Sequence, residues 1–145
     1  MHVEAFMADT LLRAAVTALH QGPDEVHEAL DTLPVPFYVT DPNGIITYYN
    51  RACIPFAGRA PRCGRDSWCV TWRLFTESWQ FLPHDQCPMA VALRERRSVR
   101  GMAAIAERPD GTHVHFLPYP TPLFDGDGNL IGALNMLVET TAESA

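Results

Sequence analysis

Apolar residues recur at helical spacing near the start of the chain: Val3, Phe6, Met7, Leu11, Ala14 and Ala18, with Leu12, Ala15 and Leu19 widening the stripe. The spacing predicts an amphipathic helix over 3–20. Gln21-Gly22-Pro23 ends it, a glycine stop followed by a proline. Residues 23–33, "PDEVHEALDTL", predict a second short helix with acids in its first turn, and Pro34 and Pro36 break it. From Phe37 the period falls to two. "FYVT" and "IITYY" predict strands joined through "DPNG", where Pro42 presets the backbone and Gly44 supplies a positive φ. The expected connection is a hairpin with a three- or four-residue loop. Asn50 is a candidate N-cap for a short helix that Pro55 and Gly58 limit.

Residues 59–86 hold all three tryptophans, Trp68, Trp72 and Trp79, and no long periodic run. Short helical turns and loops are expected there. "CPMAVALRERR" predicts a clear helix. Pro88 suits its first turn, Asp85 is a candidate cap, and Met89, Val91, Ala92 and Leu93 supply its apolar face. The last third predicts three strands, "SVRGMAAIAE", "THVHFLPYPTPLF" and "NLIGALNMLVE". The links "RPDG" and "DGDGN" are too short for parallel crossovers, so the pairs must be antiparallel. Pro118, Pro120 and Pro122 fall at alternate positions, so the N–H groups they lack all belong to one strand edge. Pairing beyond Leu117 should therefore persist on one side and be lost or shifted on the other. "SVRGMAAIAE" should splay or stop near its start. Both alternating faces of "FYVT" and "LIGALNML" are apolar, so a second layer must cover the outer face, and the N-terminal helix is the available cover.

Length and composition narrow the class. A chain of 145 residues suits one domain with one core. Its 12 prolines and 9 glycines are scattered as turn punctuation. No apolar run approaches the ~20 residues of a membrane span, and the N-terminus lacks the basic region of a signal peptide, so a cytoplasmic protein is expected. A net charge of −6 argues against a nucleic-acid surface. The basic run Arg94, Arg96, Arg97 and Arg100 contains Glu95 and falls late in the predicted helix, where it complements the dipole. The 4 cysteines lack CxxC spacing and read as free thiols.

The order of elements, together with "VTDPNGIITYYNRA" and "RPDGTHVHFLPYPTPLFDGDGNLIGALNMLVETT", resembles a PAS domain, of the kind found in bacterial signalling proteins. Asp41, Gly44, Asn50 and Ala52 match the family's Asp-x-x-Gly turn followed by Asn-x-Ala. "VETT" stands where many members end in Asp-Ile-Thr. The resemblance covers residues 28–141. It implies an α+β fold with a five-stranded antiparallel sheet in the order 2-1-5-4-3, short helices on one face enclosing a cavity, and an extra N-terminal helix. It divides the chain into a helical cap and dimerisation segment over 1–27, the PAS domain over 28–141 and a tail over 142–145. It also implies a sensory or interaction role with no catalysis. The partners would be a second copy, a histidine kinase or another output domain, and a small molecule.

Within that frame the cavity candidates are Tyr38, Trp68, Trp72, His84, Met89, Leu93, Phe116 and Asn135. Asn135 lies between Leu134 and Met136, where an unpaired buried amide would be costly. It faces either the cavity or the N-terminal helix. Family members that bind heme take the axial histidine from near the longest helix, which singles out His84. Cys87-Pro88 resembles the Cys-Pro motif of some heme-responsive proteins. The competing reading makes Cys87 a small hydrophobe at the helix start. His113 and His115 share one strand face and would form half a metal site, short of the three or four ligands needed. A thiol enzyme would need a base orienting Cys87, and no such arrangement is visible. "RCGRDSWCVTW" does not match the Asn-Cys-Arg run of the blue-light flavin subfamily. The cofactor is left open, with heme possible. The sequence thus supports a small-molecule sensor, with a heme- or metal-based sensor using His84 and a ligand-free dimerisation adaptor as alternatives. The adaptor predicts a core filled by tryptophans.

Overall fold

The protein is described here by a computed structural model, whose described residues are 5–21 and 30–140. Most of the short helix expected over 23–33 lies outside them. In chain order the elements are α1 (Ala5–Gln21), β1 (Phe37–Thr40), β2 (Ile46–Tyr49), α2 (Cys53–Ala57), β3 (Arg73–Thr76) and β4 (Phe81–Leu82). A 3-10 turn (His84–Gln86), α3 (Pro88–Glu95), β5 (Ala104–Glu107), β6 (His113–Pro118), β7 (Thr121–Phe124) and β8 (Leu130–Glu139) follow.

The architecture is α+β around one antiparallel sheet of 8 strands, in the order β2-β1-β8-β6-β5-β3-β4 with β7 also on β8. This corrects the five-stranded expectation, for two physical reasons. First, the prolines split the fourth expected strand. Leu117 pairs with Val138 and Pro118 with Leu137, and after the break Thr121 pairs with Leu134 in unchanged register. Second, residues 73–82, expected as turns and loops, form the hairpin β3–β4 on the edge of β5. Leu74 is buried in the core, while Phe75 lies 6.0 Å from the Trp79 ring and 6.2 Å from the Phe81 ring. With β6 and β7 joined and the added hairpin set aside, the remaining order is the 2-1-5-4-3 expected.

The proline edge behaves as its chemistry requires. The β5–β6 ladder ends at Ala104 and Phe116. Beyond it, the Pro120 carbonyl accepts from the Val99 N–H at 3.2 Å and from Arg100 Nη1 at 2.9 Å. Of the "SVRGMAAIAE" segment, only residues from Ala104 are strand.

The sheet is covered on both faces, which explains its two-sided apolar pattern. Tyr38, Phe116, Ala133 and Leu137 pack inward against Met89 and Leu93 of α3. Phe37, Leu134, Met136 and Val138 pack outward with Ala8, Leu12 and Ala15 of α1. Each large side chain so buried contributes about 1.5–3 kcal/mol.

Local expectations divide. The "DPNG" and "DGDGN" turns share one design: Asp41 and Asp125 each accept two backbone N–H bonds through one carboxylate oxygen, at 2.8–3.0 Å. Pro88 opens α3 as expected. Asn50 does not cap α2, since Ala52 holds that position. Its buried amide instead bonds Phe37 N at 2.9 Å, Leu30 O at 2.8 Å and Val35 O at 2.9 Å, fixing the segment that leads into β1. Asp85 does not cap α3 either: it sits in the 3-10 turn, and Cys87 occupies the cap position without a side-chain bond. Arg100 lies beyond α3, at the proline edge.

Gly132 sits on β8 with φ +153°, and a Cβ there would run into the Thr40 carbonyl oxygen of β1. Only glycine lets the two central strands approach this closely. Gly132→Ala is expected to destabilise the fold by about 2 kcal/mol or more, read as a fall in the urea midpoint.

Candidate functional site

On the inner face of the sheet a knot of polar groups is buried among apolar side chains. Strand alternation turns Tyr38 of β1 and Asn135 of β8, a directly opposed pair, to the same side. Asn135 Nδ2 donates to Tyr38 Oη at 3.0 Å, and Asn135 Oδ1 accepts from the Tyr119 N–H at 3.0 Å. The Tyr38 hydroxyl donates to the Trp68 carbonyl at 2.6 Å. Burial, then the nearby Cys69 and Cys87 thiols, push the Tyr38 hydroxyl well above its ordinary value, so it stays a neutral donor. Of the two orientations open to Asn135, the inner one is realised, and both ends of the amide are paired.

The knot leads outward to a cleft of about 300 Å³ whose walls include Arg59, Asp66, Cys69, Thr71, Trp72 and His84. His84 Nε2 lies 3.0 Å from the Thr71 carbonyl and 3.2 Å from Thr71 Oγ1. A carbonyl only accepts, so Nε2 carries the proton and donates. The Thr71 hydroxyl then donates to Cys69 Sγ at 3.2 Å, and Cys69 directly follows Trp68, whose carbonyl accepts from the Tyr38 hydroxyl. These contacts lead from His84 through Thr71 and Cys69 to the adjacent Trp68 carbonyl, and from there through Tyr38 to Asn135. Burial pushes His84 below its ordinary 6.5, outweighing the Thr71 backbone bond, so the ring is neutral at pH 7. At Asp66, burial works against the charge. The Arg62 N–H and the Arg59 guanidinium, 2.6 Å away, outweigh it and hold the carboxyl below its ordinary value.

The expected cavity residues are only partly brought together. Tyr38, Asn135 and the Trp68 backbone meet in the knot, and Met89, Leu93 and Phe116 lie in the same inner core. His84 and Trp72 sit apart from it on the cleft. Trp72 is 40% exposed, with the Arg73 guanidinium 4.4 Å over its ring. The two heme-ligand candidates differ: with Nε2 donating to Thr71 the His84 ring keeps an unprotonated Nδ1, whereas burial pushes the Cys87 thiol up to about 12. That thiol is equally unsuited to nucleophilic attack. His113 and His115 stand on the outer face beside Trp79. Among the described residues no group of three or more His, Cys, Asp or Glu could hold a metal ion. Arg59, Asp66 and Thr71 were not singled out by the sequence. The one local sign was the i,i+4 spacing of Arg62 and Asp66, 3.2 Å apart in the fold.

An α+β sheet with an inner polar knot, short helices on one face and a helical cover on the other defines a class, and a family match identifies it. The model of the PAS fold matches residues 30–145, so the chain belongs to the PAS-fold family of sensory and signalling modules. Among solved structures, it is similar to a Light-Oxygen-Voltage domain studied with a flavin analogue (19% identity, 87% of this chain and 91% of that one, TM-score 0.62). It is also similar to the LOV domain of the blue-light-activated histidine kinase EL346 of Erythrobacter litoralis (20% identity, 74% and 97%, TM-score 0.56). An RNA-binding Light-Oxygen-Voltage receptor matches at 20% identity and TM-score 0.61, over 88% of this chain but only 35% of that one. At these identities the likeness is one of fold. No curated protein matches the chain.

Tyr38→Phe removes the acceptor of the buried Asn135 Nδ2 and the donor to Trp68 O. It is expected to cost about 1–3 kcal/mol in urea denaturation. His84 supplies a pH signature. Its folded-state value is lowered, so the unfolded chain binds the proton first, and stability falls as pH drops below 6.5 toward the folded value. Melting temperature should decline over that window, and His84→Gln should flatten the decline.

Proposed function

We propose that the chain is a small-molecule sensor with its input on the helix-bearing side of the sheet and its output on the outer side, through α1. The observation that carries this reading is the buried Asn135 amide. β8 packs on the inner core with one set of side chains and on α1 with the alternate set. Asn135 ties that strand to Tyr38 and to the proline break at Tyr119. A ligand that redirects the Tyr38 hydroxyl changes the pairing of Asn135, and so the seat of β8 beneath α1. Such a change needs only a differential affinity for two arrangements.

The outputs in keeping with this are a second copy docked through the 1–27 segment, or a signalling partner such as a histidine kinase. The latter is the company that the similar Erythrobacter litoralis LOV domain keeps. Residues 28–141 form the sensory unit in this reading. No described helix is long and apolar enough to cross a membrane, and a cytoplasmic setting suits the four free thiols. The ligand-free adaptor is less well supported, because Trp72 and Trp79 are 40% and 52% exposed and do not fill the core. The heme reading has only the Nδ1 atom of His84 to rest on, since Nε2 is held by Thr71 and the Cys87 thiol is buried.

Sedimentation equilibrium tests the output. A dimer is expected, and Leu11→Glu, at the half-buried margin of α1, should shift it to monomer. Asn135→Leu should move the dimer constant about five- to tenfold with the fold retained. A chain that is monomeric throughout, or a dimer indifferent to Asn135, overturns the reading.

A further inference from the structure

The cleft beside His84 has hydrogen-bond donors to spare and an acid already spent. Asp66 accepts from Arg59 Nη2 and the Arg62 N–H through one oxygen, and from Arg62 Nη2 through the other. Arg65, which is exposed, and Ser67 also line the cleft, and neither side chain has a hydrogen-bond or ion-pair partner among the described residues. His84 is turned with its N–H toward Thr71. An incoming molecule therefore meets an unspent cation and a free hydroxyl, and an acid whose oxygens are already shared.

The backbone adds a second, independent observation. Trp68, between the lining residues Ser67 and Cys69, has φ +72°, a costly conformation for a bulky residue. It is held there by its N–H to the Gly44 carbonyl at 2.7 Å, by its carbonyl to Tyr38, and by its ring over Gly44. Strain of this kind persists where the surroundings over-determine it, and it concentrates at ligand sites and switches. Here it lies on the wall between the cleft and the inner knot.

We propose that this cleft binds a small carboxylate, with Arg65 taking the carboxylate through its planar fork and Ser67 donating a further hydrogen bond. A planar guanidinium suits a carboxylate, and 300 Å³ admits a short mono- or dicarboxylic acid. The site stands on its own geometry. Its consequence, transmission through the Trp68 carbonyl and Tyr38 to Asn135, rests on the sensory reading above.

Isothermal titration calorimetry with succinate, malonate and citrate tests the site on the full chain. Saturable binding of at least one is expected, weakened about tenfold or more by Arg65→Gln and less by Ser67→Ala. Arg97→Gln, which removes only the pair with Glu95, should leave affinity unchanged. Circular dichroism and urea midpoints verify that the variants fold. Silence toward all three acids, an affinity indifferent to both cleft substitutions, or binding of inorganic phosphate alone overturns the proposal. Succinate binding that depends on Arg65 but leaves the dimer constant unmoved upholds the site and overturns the sensory reading.

Discussion

One buried amide reconciles two demands that would otherwise conflict. β8 is covered on both faces, so it must be apolar on both, and its neighbour strand carries a proline where the ladder should continue. Pro120 has no N–H to give, and the Tyr119 N–H next to it is shared between the Met136 carbonyl at 2.9 Å and Asn135 Oδ1 at 3.0 Å. Asn135 thereby anchors the strand at the break, and β6 and β7 resume the same register on either side of it. The other end of the amide needs a partner in an apolar core, and the Tyr38 hydroxyl is that partner. Exchange of the amide for an apolar residue would loosen the break. Loss of the Tyr38 hydroxyl would strand a buried donor, which costs more than a typical hydrogen bond contributes. The inner core and the outer sheet edge therefore cannot be altered independently.

Where side-chain periodicity decides structure, the sequence could be read directly. The apolar stripe at Leu12 and Ala15, the alternation through "LIGALNML" and the prolines at 118, 120 and 122 each act over a few residues. Each specifies its element without knowledge of distant partners. The double apolar face of β8 even required a cover that the sheet itself could not supply, and α1 provides it. Asn50 and Asp85 show the limit of this approach. Both have the chemistry of an N-cap, but whether such a side chain caps its own helix or is drawn to a longer-range donor depends on tertiary position. Asn50 is claimed by Leu30, Val35 and Phe37.

The segment from Arg59 to Trp72 was illegible for the same reason. It has no period because it is not a regular element. It is laid along the free edge of β2 by separate bonds: Ile46 N to Asp66 O at 2.9 Å, Gly64 N to Ile46 O at 2.8 Å, and the bridge between Ile45 and Ser67. An exposed strand edge invites pairing with other chains, and this loop fills it. The same stitching holds Trp68 in its left-handed conformation and brings Arg59, Asp66, Cys69 and Thr71 to one wall. The candidate site is thus a by-product of edge protection, assembled from residues whose proximity no spacing rule reveals.

The energies involved bear on whether such a site can signal. A left-handed non-glycine residue such as Trp68 stores about 1–3 kcal/mol, and an unpaired buried polar group costs about 1–3 kcal/mol. Coupling between two sites in allosteric proteins is of the same size, about 1–3 kcal/mol. A ligand in the cleft therefore need not remodel the core. Relief of strain at Trp68 would move the carbonyl that the Tyr38 hydroxyl uses, and a hydroxyl turned to another acceptor would change its bond with Asn135. Each move exchanges one hydrogen bond for another, so the barrier and the net cost stay small beside the stability of the domain. What makes the exchange consequential is position: its last member, Asn135, belongs to the strand that carries the outer helix.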